Sequence, residues 1–167
     1  MPELVEVETT KRDLRKIIIN RKINKTEVYL DKIVYNKKDE FILMTQNQII
    51  SDVKRRGKWL LLELEKSYIV IHFRMEGRFY LLPLNSKKDK HDYVIFYFDD
   101  YELHFNDPRL FGKMEVVLKE EIDKFFNSDK RSPLFKNKCI TALSLISRSY
   151  LLLAYTFIIF FASSKDK

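Results

Sequence analysis

Between residues 49 and 118 the chain keeps breaking into short apolar runs, at about 49–54, 58–65, 68–73, 78–82, 93–98, 101–105 and 113–118. The runs are rich in Ile, Val, Tyr and Phe, and polar, turn-forming residues separate them. β-Branched and aromatic side chains suit a pleated, half-buried surface, so each run reads as a strand. Asp99-Asp100 sits between two runs as a tight hairpin, and residues 83–92 form the longest polar loop. Ahead of them, Val7, Leu14, Ile17 and Ile18 fall near helical spacing, which predicts a helix over 5–19 ending at Asn20. Residues 22–30 read as one more strand and 39–46 as a short helix. Many short strands after one helix predict an α+β fold, a two-layer antiparallel β-sandwich flanked by an N-terminal helix.

Composition narrows the function classes. Apolar residues make up 46% of the 167, enough for a real core and too many for a disordered chain. The net charge of +7 is spread along the chain and points to a polyanionic partner. A single cysteine, Cys139, excludes a disulfide framework and fits a reducing compartment. One Cys and three His, far apart in sequence, predict no structural zinc site. The acidic, polar N-terminus does not read as a signal peptide.

The chemistry concentrates at the start, Met1-Pro2-Glu3-Leu4-Val5-Glu6-Val7-Glu8. If Met1 is removed, the Pro2 nitrogen becomes a free secondary amine with a pKa of roughly 8, partly neutral and nucleophilic near neutral pH. If Met1 stays, the same nitrogen is an inert amide. Glu3 and Glu6 are three apart and would share a helical face, where they also favour the positive end of the helix dipole. A second basic feature, Lys54-Arg55-Arg56-Gly57-Lys58, is suited to phosphate contact, or to a solvated hairpin.

These stretches resemble a family. Pro-Glu-Leu-x-Glu-Val-Glu-Thr directly after Met1 is similar to the start of formamidopyrimidine-DNA glycosylases, base-excision repair enzymes related to endonuclease VIII. The likeness recurs at Lys54-Arg55-Arg56-Gly57-Lys58-Trp59-Leu60, at His72-Phe73-Arg74-Met75-Glu76-Gly77-Arg78, at Lys90-His91-Asp92 and at Asn106-Asp107-Pro108-Arg109-Leu110-Phe111-Gly112. One departure is Val5, where the family usually has Pro.

The resemblance implies a role for each motif. Pro2 would be the nucleophile on C1′ of a damaged nucleotide, and Glu3 the general acid that protonates the opening sugar ring. Glu6 would orient the N-terminus or a water, and Lys58 would donate a proton during elimination. Met75, Arg109 and Phe111 would fill the hole left by an extruded base and wedge the duplex. Arg55, Arg56, His72, Arg74 and His91 would contact phosphates, whereas His104, between Leu103 and Phe105 on a strand, reads as structural. The implied activity is a bifunctional glycosylase and abasic-site lyase on oxidised purines such as 8-oxoguanine and formamidopyrimidines. The implied partner is damaged double-stranded DNA, met by a monomer in the cytoplasm at the nucleoid, without a small-molecule cofactor.

The likeness covers about residues 1–135, the expected catalytic domain. Residues 136–167 match nothing in the family, whose later helix–two-turn–helix and zinc finger are not found there. Within 140–162 the uninterrupted apolar part, 150–162, is shorter than the roughly 20 residues a membrane span needs. A truncated or frame-shifted gene is the expected explanation, ahead of a membrane anchor, and an inactive or weakly DNA-binding remnant is the alternative to an active enzyme.

Overall fold

A computed structural model of the chain describes residues 4–128. Pro2, Glu3, the boundary expected at 135 and the apolar tail lie outside the described residues. The chain opens with α1 (Leu4–Ile18), then β1 (Lys25–Val28), a short 3-10 turn at Asp31–Ile33 and α2 (Lys38–Thr45). Seven strands follow: β2 (Asp52–Arg56), β3 (Trp59–Glu63), β4 (Ser67–His72), β5 (Arg78–Pro83), β6 (Asp92–Tyr97), β7 (Tyr101–Asn106) and β8 (Lys113–Leu118). A second 3-10 turn leads into α3 (Ile122–Asn127).

The strands make two four-stranded sheets, ordered β1-β6-β7-β5 and β2-β3-β4-β8, and every pairing between strands is antiparallel. The expected sandwich is therefore present. Its core lies where Leu60, Leu62, Ile69 and Ile71 of one sheet join Val94, Phe96, Leu103 and Phe105 of the other. Each such side chain contributes about 1.5–3 kcal/mol by leaving water. α1 adds Val7, Leu14 and Ile18 to the same core, and α2 adds Phe41. Asn20 takes a left-handed φ of 60° just past α1, which a helix end can use and which Asn tolerates.

Four details depart from the sequence reading. β1 covers only Lys25–Val28, because Lys22 leaves the sheet edge to bridge Ile49. β2 starts at Asp52 rather than 49 for the same reason. β3 reads as a continuous apolar run because Leu61 also faces cover, while Val70 and Val117 on the outer side of this sheet meet Phe125. Phe125 belongs to α3, a six-residue helix too short for periodicity to announce.

His104 is fully buried on β7, which fits its structural reading. Its Nδ1 lies 2.9 Å from Asp92 Oδ2 and its Nε2 lies 2.7 Å from Glu102 Oε2. Asn106 Nδ2 donates to Asp92 Oδ1 at 2.8 Å, and the Asn85 amide donates to Glu102 Oε1 at 2.8 Å. Burial opposes ionisation of Asp92, but bonds from His104, Asn106 and the Asp89 amide outweigh it and hold the carboxyl below its ordinary range.

Candidate nucleic-acid interface

Strand register decides which motifs meet. Trp59 pairs with His72, and His72 with Lys113, so the Gly57-Lys58 turn, the loop after β4 and the loop before β8 lie at one end of their sheet. In the other sheet Arg78 pairs with Asn106 and Asp92 with Asn106, which puts Gly77, His91 and Asp107 at a common end. The two ends coincide, because residues 73–77 and 107–112 are the connections that pass from one sheet to the other.

Each connection is shaped locally. Arg74 adopts φ 59°, and its amide donates to His72 Nδ1 at 3.0 Å. His72 is buried and stands edge-on to Trp59, ring centroids 4.6 Å apart, so it supports this loop from beneath. In the other connection Asp107, also buried, accepts from the Arg109 amide at 3.2 Å and from the Gly112 amide at 2.6 Å. Leu110 is left-handed there, with φ 59°. Both loops rest on Phe105. A Cβ on Gly77 would lie 3.0 Å from the ring's Cζ, and one on Gly112 would lie 2.7 Å from it.

Between these loops lies an open groove of about 460 Å³, lined by Tyr35, Arg74, Met75, Arg109, Phe111 and Lys113. It unites four of the expected residues. Met75 is 38% exposed and Phe111 49%, and their lying together in one cleft fits a surface kept for a partner. The Arg109 guanidinium stands 5.3 Å from the Phe111 ring centroid and reaches Glu76 only at 3.6 Å. Tyr35 and Lys113 were not anticipated. They arrive because Val34 bridges Met114 and the Tyr35 amide donates to the Met114 carbonyl at 2.9 Å. Burial, and then the nearby Lys32 ammonium, push the Lys113 pKa down.

The other expected residues are placed as follows. Lys58 is half-buried in a two-residue hairpin whose first residue, Gly57, has φ 59°, a conformation that favours glycine. His91 is half-exposed, and its carbonyl accepts from the Asp107 amide at 3.1 Å, which ties the 83–92 loop to the Arg109 turn. Its Nδ1 faces Asp89 at 3.5 Å. Glu6 is exposed in the first turn of α1. Arg55 and Arg56 are engaged within the protein. Arg55 meets Glu8 and the Gly57 carbonyl, and Arg56 meets Asp123 at 3.1 Å and lies 4.4 Å from the Phe126 ring centroid. Among the described residues no group of three or more His, Cys, Asp or Glu is arranged to hold a metal ion, and no helix is long and apolar enough to cross a membrane.

This arrangement has counterparts. Residues 1–114 match the formamidopyrimidine-DNA glycosylase N-terminal domain. A formamidopyrimidine-DNA glycosylase of Carboxydothermus hydrogenoformans is 46% identical over 122 residues, 72% of this chain and 46% of the relative. One of Streptococcus pneumoniae is 40% identical over 134 residues, 80% of this chain and 49% of the relative. The chain thus spans about half the length of these curated relatives. Among solved structures, the wild-type Lactococcus lactis Fpg in complex with N7-benzyl-Fapy-dG DNA superimposes with a TM-score of 0.73 at 32% identity, over 75% of this chain and 47% of that one. The same enzyme with abasic-site DNA gives the same values. The family match across both sheets and the convergence of its motifs at one end agree: the chain belongs to the formamidopyrimidine-DNA glycosylase family, through that family's N-terminal domain.

Proposed function

We propose that this chain acts on damaged duplex DNA in base-excision repair, removing oxidised purines such as 8-oxoguanine and formamidopyrimidines and then cleaving the abasic site. The observation that carries this reading is the groove. Met75, Arg109 and Phe111 line one exposed cleft at the end of the sandwich that also carries the Lys58 turn. An extruded base leaves a gap in the stack, and a flexible thioether, a guanidinium and an aromatic ring can fill, pair with and wedge it. Arg74 and Lys113 line the same cleft and supply cations for phosphates, with His91 on the adjoining loop. His72 acts from within by fixing the Arg74 amide. Arg56 and Lys58 add positive potential beside the cleft, whereas Arg55 is turned to Glu8 and the Gly57 carbonyl.

The chemistry rests on the free amine of Pro2 after loss of Met1. Its lone pair forms a bond to C1′, and the glycosidic bond breaks with its electrons leaving on the base. Glu3 protonates the ring oxygen as the C1′–O4′ bond opens, which yields an iminium. That fixed positive charge acidifies C2′. Loss of the C2′ proton gives the C1′=C2′ enamine; the nitrogen lone pair then re-forms the iminium, the enamine electrons become a C2′=C3′ bond, and the 3′ phosphate leaves with the electrons of the C3′–O bond. Lys58 donates a proton during elimination, and Glu6 orients the N-terminus or a water. The scheme draws on no cofactor, and the partner is damaged double-stranded DNA met by a monomer at the nucleoid, in the cytoplasm.

Borohydride trapping tests it. Protein with Pro2 at its N-terminus, mixed with an abasic-site duplex and borohydride, should form a stable covalent adduct at Pro2, and Glu3→Gln should abolish base excision while sparing some trapping. Absence of any adduct from processed protein overturns the enzyme reading and leaves a DNA-binding remnant, recognisable by weak, strongly salt-dependent duplex affinity of about 10⁻⁴ to 10⁻⁶ M. The half-length match to the relatives is what gives that second reading its weight.

A further inference from the structure

We infer that Glu8 and Arg55 form a register lock: they fix the first turns of α1 against the hairpin that carries Lys58. The inference rests on the glycosylase reading above for its catalytic meaning and on geometry for its existence. Glu8 lies one helical turn after Leu4, the residue that directly follows Pro2-Glu3. Its Oε2 accepts from Arg55 Nε at 2.6 Å, and its Oε1 meets Lys11 Nζ at 2.7 Å. The same guanidinium turns its Nη1 to the Gly57 carbonyl at 2.9 Å. One planar cation thus holds a helix carboxylate on one edge and a turn carbonyl on another, which a lysine cannot do with a single point charge.

Both partners are partly covered, with side chains 30% and 28% exposed, so the contact is only partly screened by bulk water. Hydrogen bonds from Lys11 and then Arg55 pull the Glu8 pKa down to about 2, and the carboxylate stays ionised across the working range. Gly57 is the residue before Lys58, and its carbonyl orientation sets the turn. The hydrophobic face of α1, Val7, Leu14 and Ile18, anchors the helix against the core, and its C-terminal half is also held by Arg15, 3.1 Å from Asp52, and by the Tyr101 hydroxyl, which donates to the Ile17 carbonyl at 3.0 Å. The Glu8–Arg55 contact gives the same kind of direction to the first turns. The sequence suggests a phosphate-binding role for Arg55, yet its Nε and Nη1 already donate to Glu8 and to the Gly57 carbonyl. Glu8 and Arg55 are positioning residues, since neither needs to touch the reacting atoms.

The test compares Glu8→Gln, Arg55→Met and Arg55→Lys with the parent chain, using amide hydrogen exchange and borohydride trapping at saturating abasic-site duplex. A lock predicts faster exchange in the first turns of α1 and at Gly57-Lys58, with the Leu14–Ile18 end still protected. It predicts trapping rates lower by about 10- to 100-fold for Glu8→Gln and Arg55→Met, as for a reacting group misplaced by an ångström. Arg55→Lys should lie between, and duplex affinity should hold. Unchanged exchange and trapping in Glu8→Gln overturns the lock. So does the phosphate pattern, in which Arg55→Met weakens duplex binding and flattens its salt dependence while Glu8→Gln tightens it. If the parent chain forms no adduct, the glycosylase reading falls, and exchange alone then decides whether the lock exists.

Discussion

His104 and Arg109 sit in clusters built from similar residue types with opposite results. Around His104 two carboxylates, an imidazole, an amide side chain and backbone amides are sealed between strands, and each polar group described there meets a partner at 2.7 to 2.9 Å. Around Arg109 the nearest carboxylate stands at 3.6 Å, the aromatic ring beside it is half in water, and Arg74 has no carboxylate at ion-pair distance among the described residues. Burying charge is tolerable only when hydrogen bonds replace the lost water. A cation left out in water keeps its capacity for a partner. Titratable residues alone therefore do not mark a site. The state of their satisfaction does, and the two clusters show both outcomes in one domain.

The comparison can be broken by mutation. The largest effect should come from His104→Ala, which strands Asp92 and Glu102 in the interior and should cost about 3–5 kcal/mol of stability in denaturant unfolding. A loss below 1 kcal/mol would mean that the cluster is not the strut described. Phe111→Ala should do the reverse. Stability should stay within about 0.5 kcal/mol, while duplex affinity, followed by fluorescence anisotropy, should fall by about 1–3 kcal/mol through lost stacking. An unfolded Phe111→Ala protein would show that the groove is part of the core.

The smallest effect concerns acid. Asp92 has a folded pKa below its unfolded value of about 3.9, so its contribution to stability is full above that pH and is lost as pH falls through the folded pKa. Thermal melts taken downward from pH 5 should show this loss in the parent chain. Asp92→Asn should remove that component, and identical acid slopes for the two would refute the assignment.

What the sequence could announce depended on the range of the interaction. The strands were legible because alternation is a property of neighbours, and β4 through β8 fall within a residue or two of where the pattern puts them. The Asp-Pro-Arg-x-Phe-Gly stretch announced the groove because its residues are contiguous. Tyr35 and Lys113 were not legible, since the bridge from Val34 to Met114 spans most of the domain. Glu8 and Arg55 were not paired in advance for the same reason, lying 47 positions apart. α3 left a faint trace in Ile122, Phe125 and Phe126, spaced three and four apart, which six residues cannot raise above background.

The ring of Phe105 has a further consequence. Gly77 and Gly112 close down on the same Cζ from two different loops, one bearing Met75 and the other Arg109 and Phe111. Besides His72 under one loop and Asp107 within the other, the two loops share this one ring. A methyl group added to Gly112 meets the ring at 2.7 Å and must move it, and that shift reaches the other loop, whereas one added to Gly77 meets the Phe73 carbonyl first, at 2.8 Å, and the ring at 3.0 Å. Evolution and the protein engineer face the same bargain here: the two halves of the wedge can change together, with Phe105 as the hinge pin between them, or they can stay as they are.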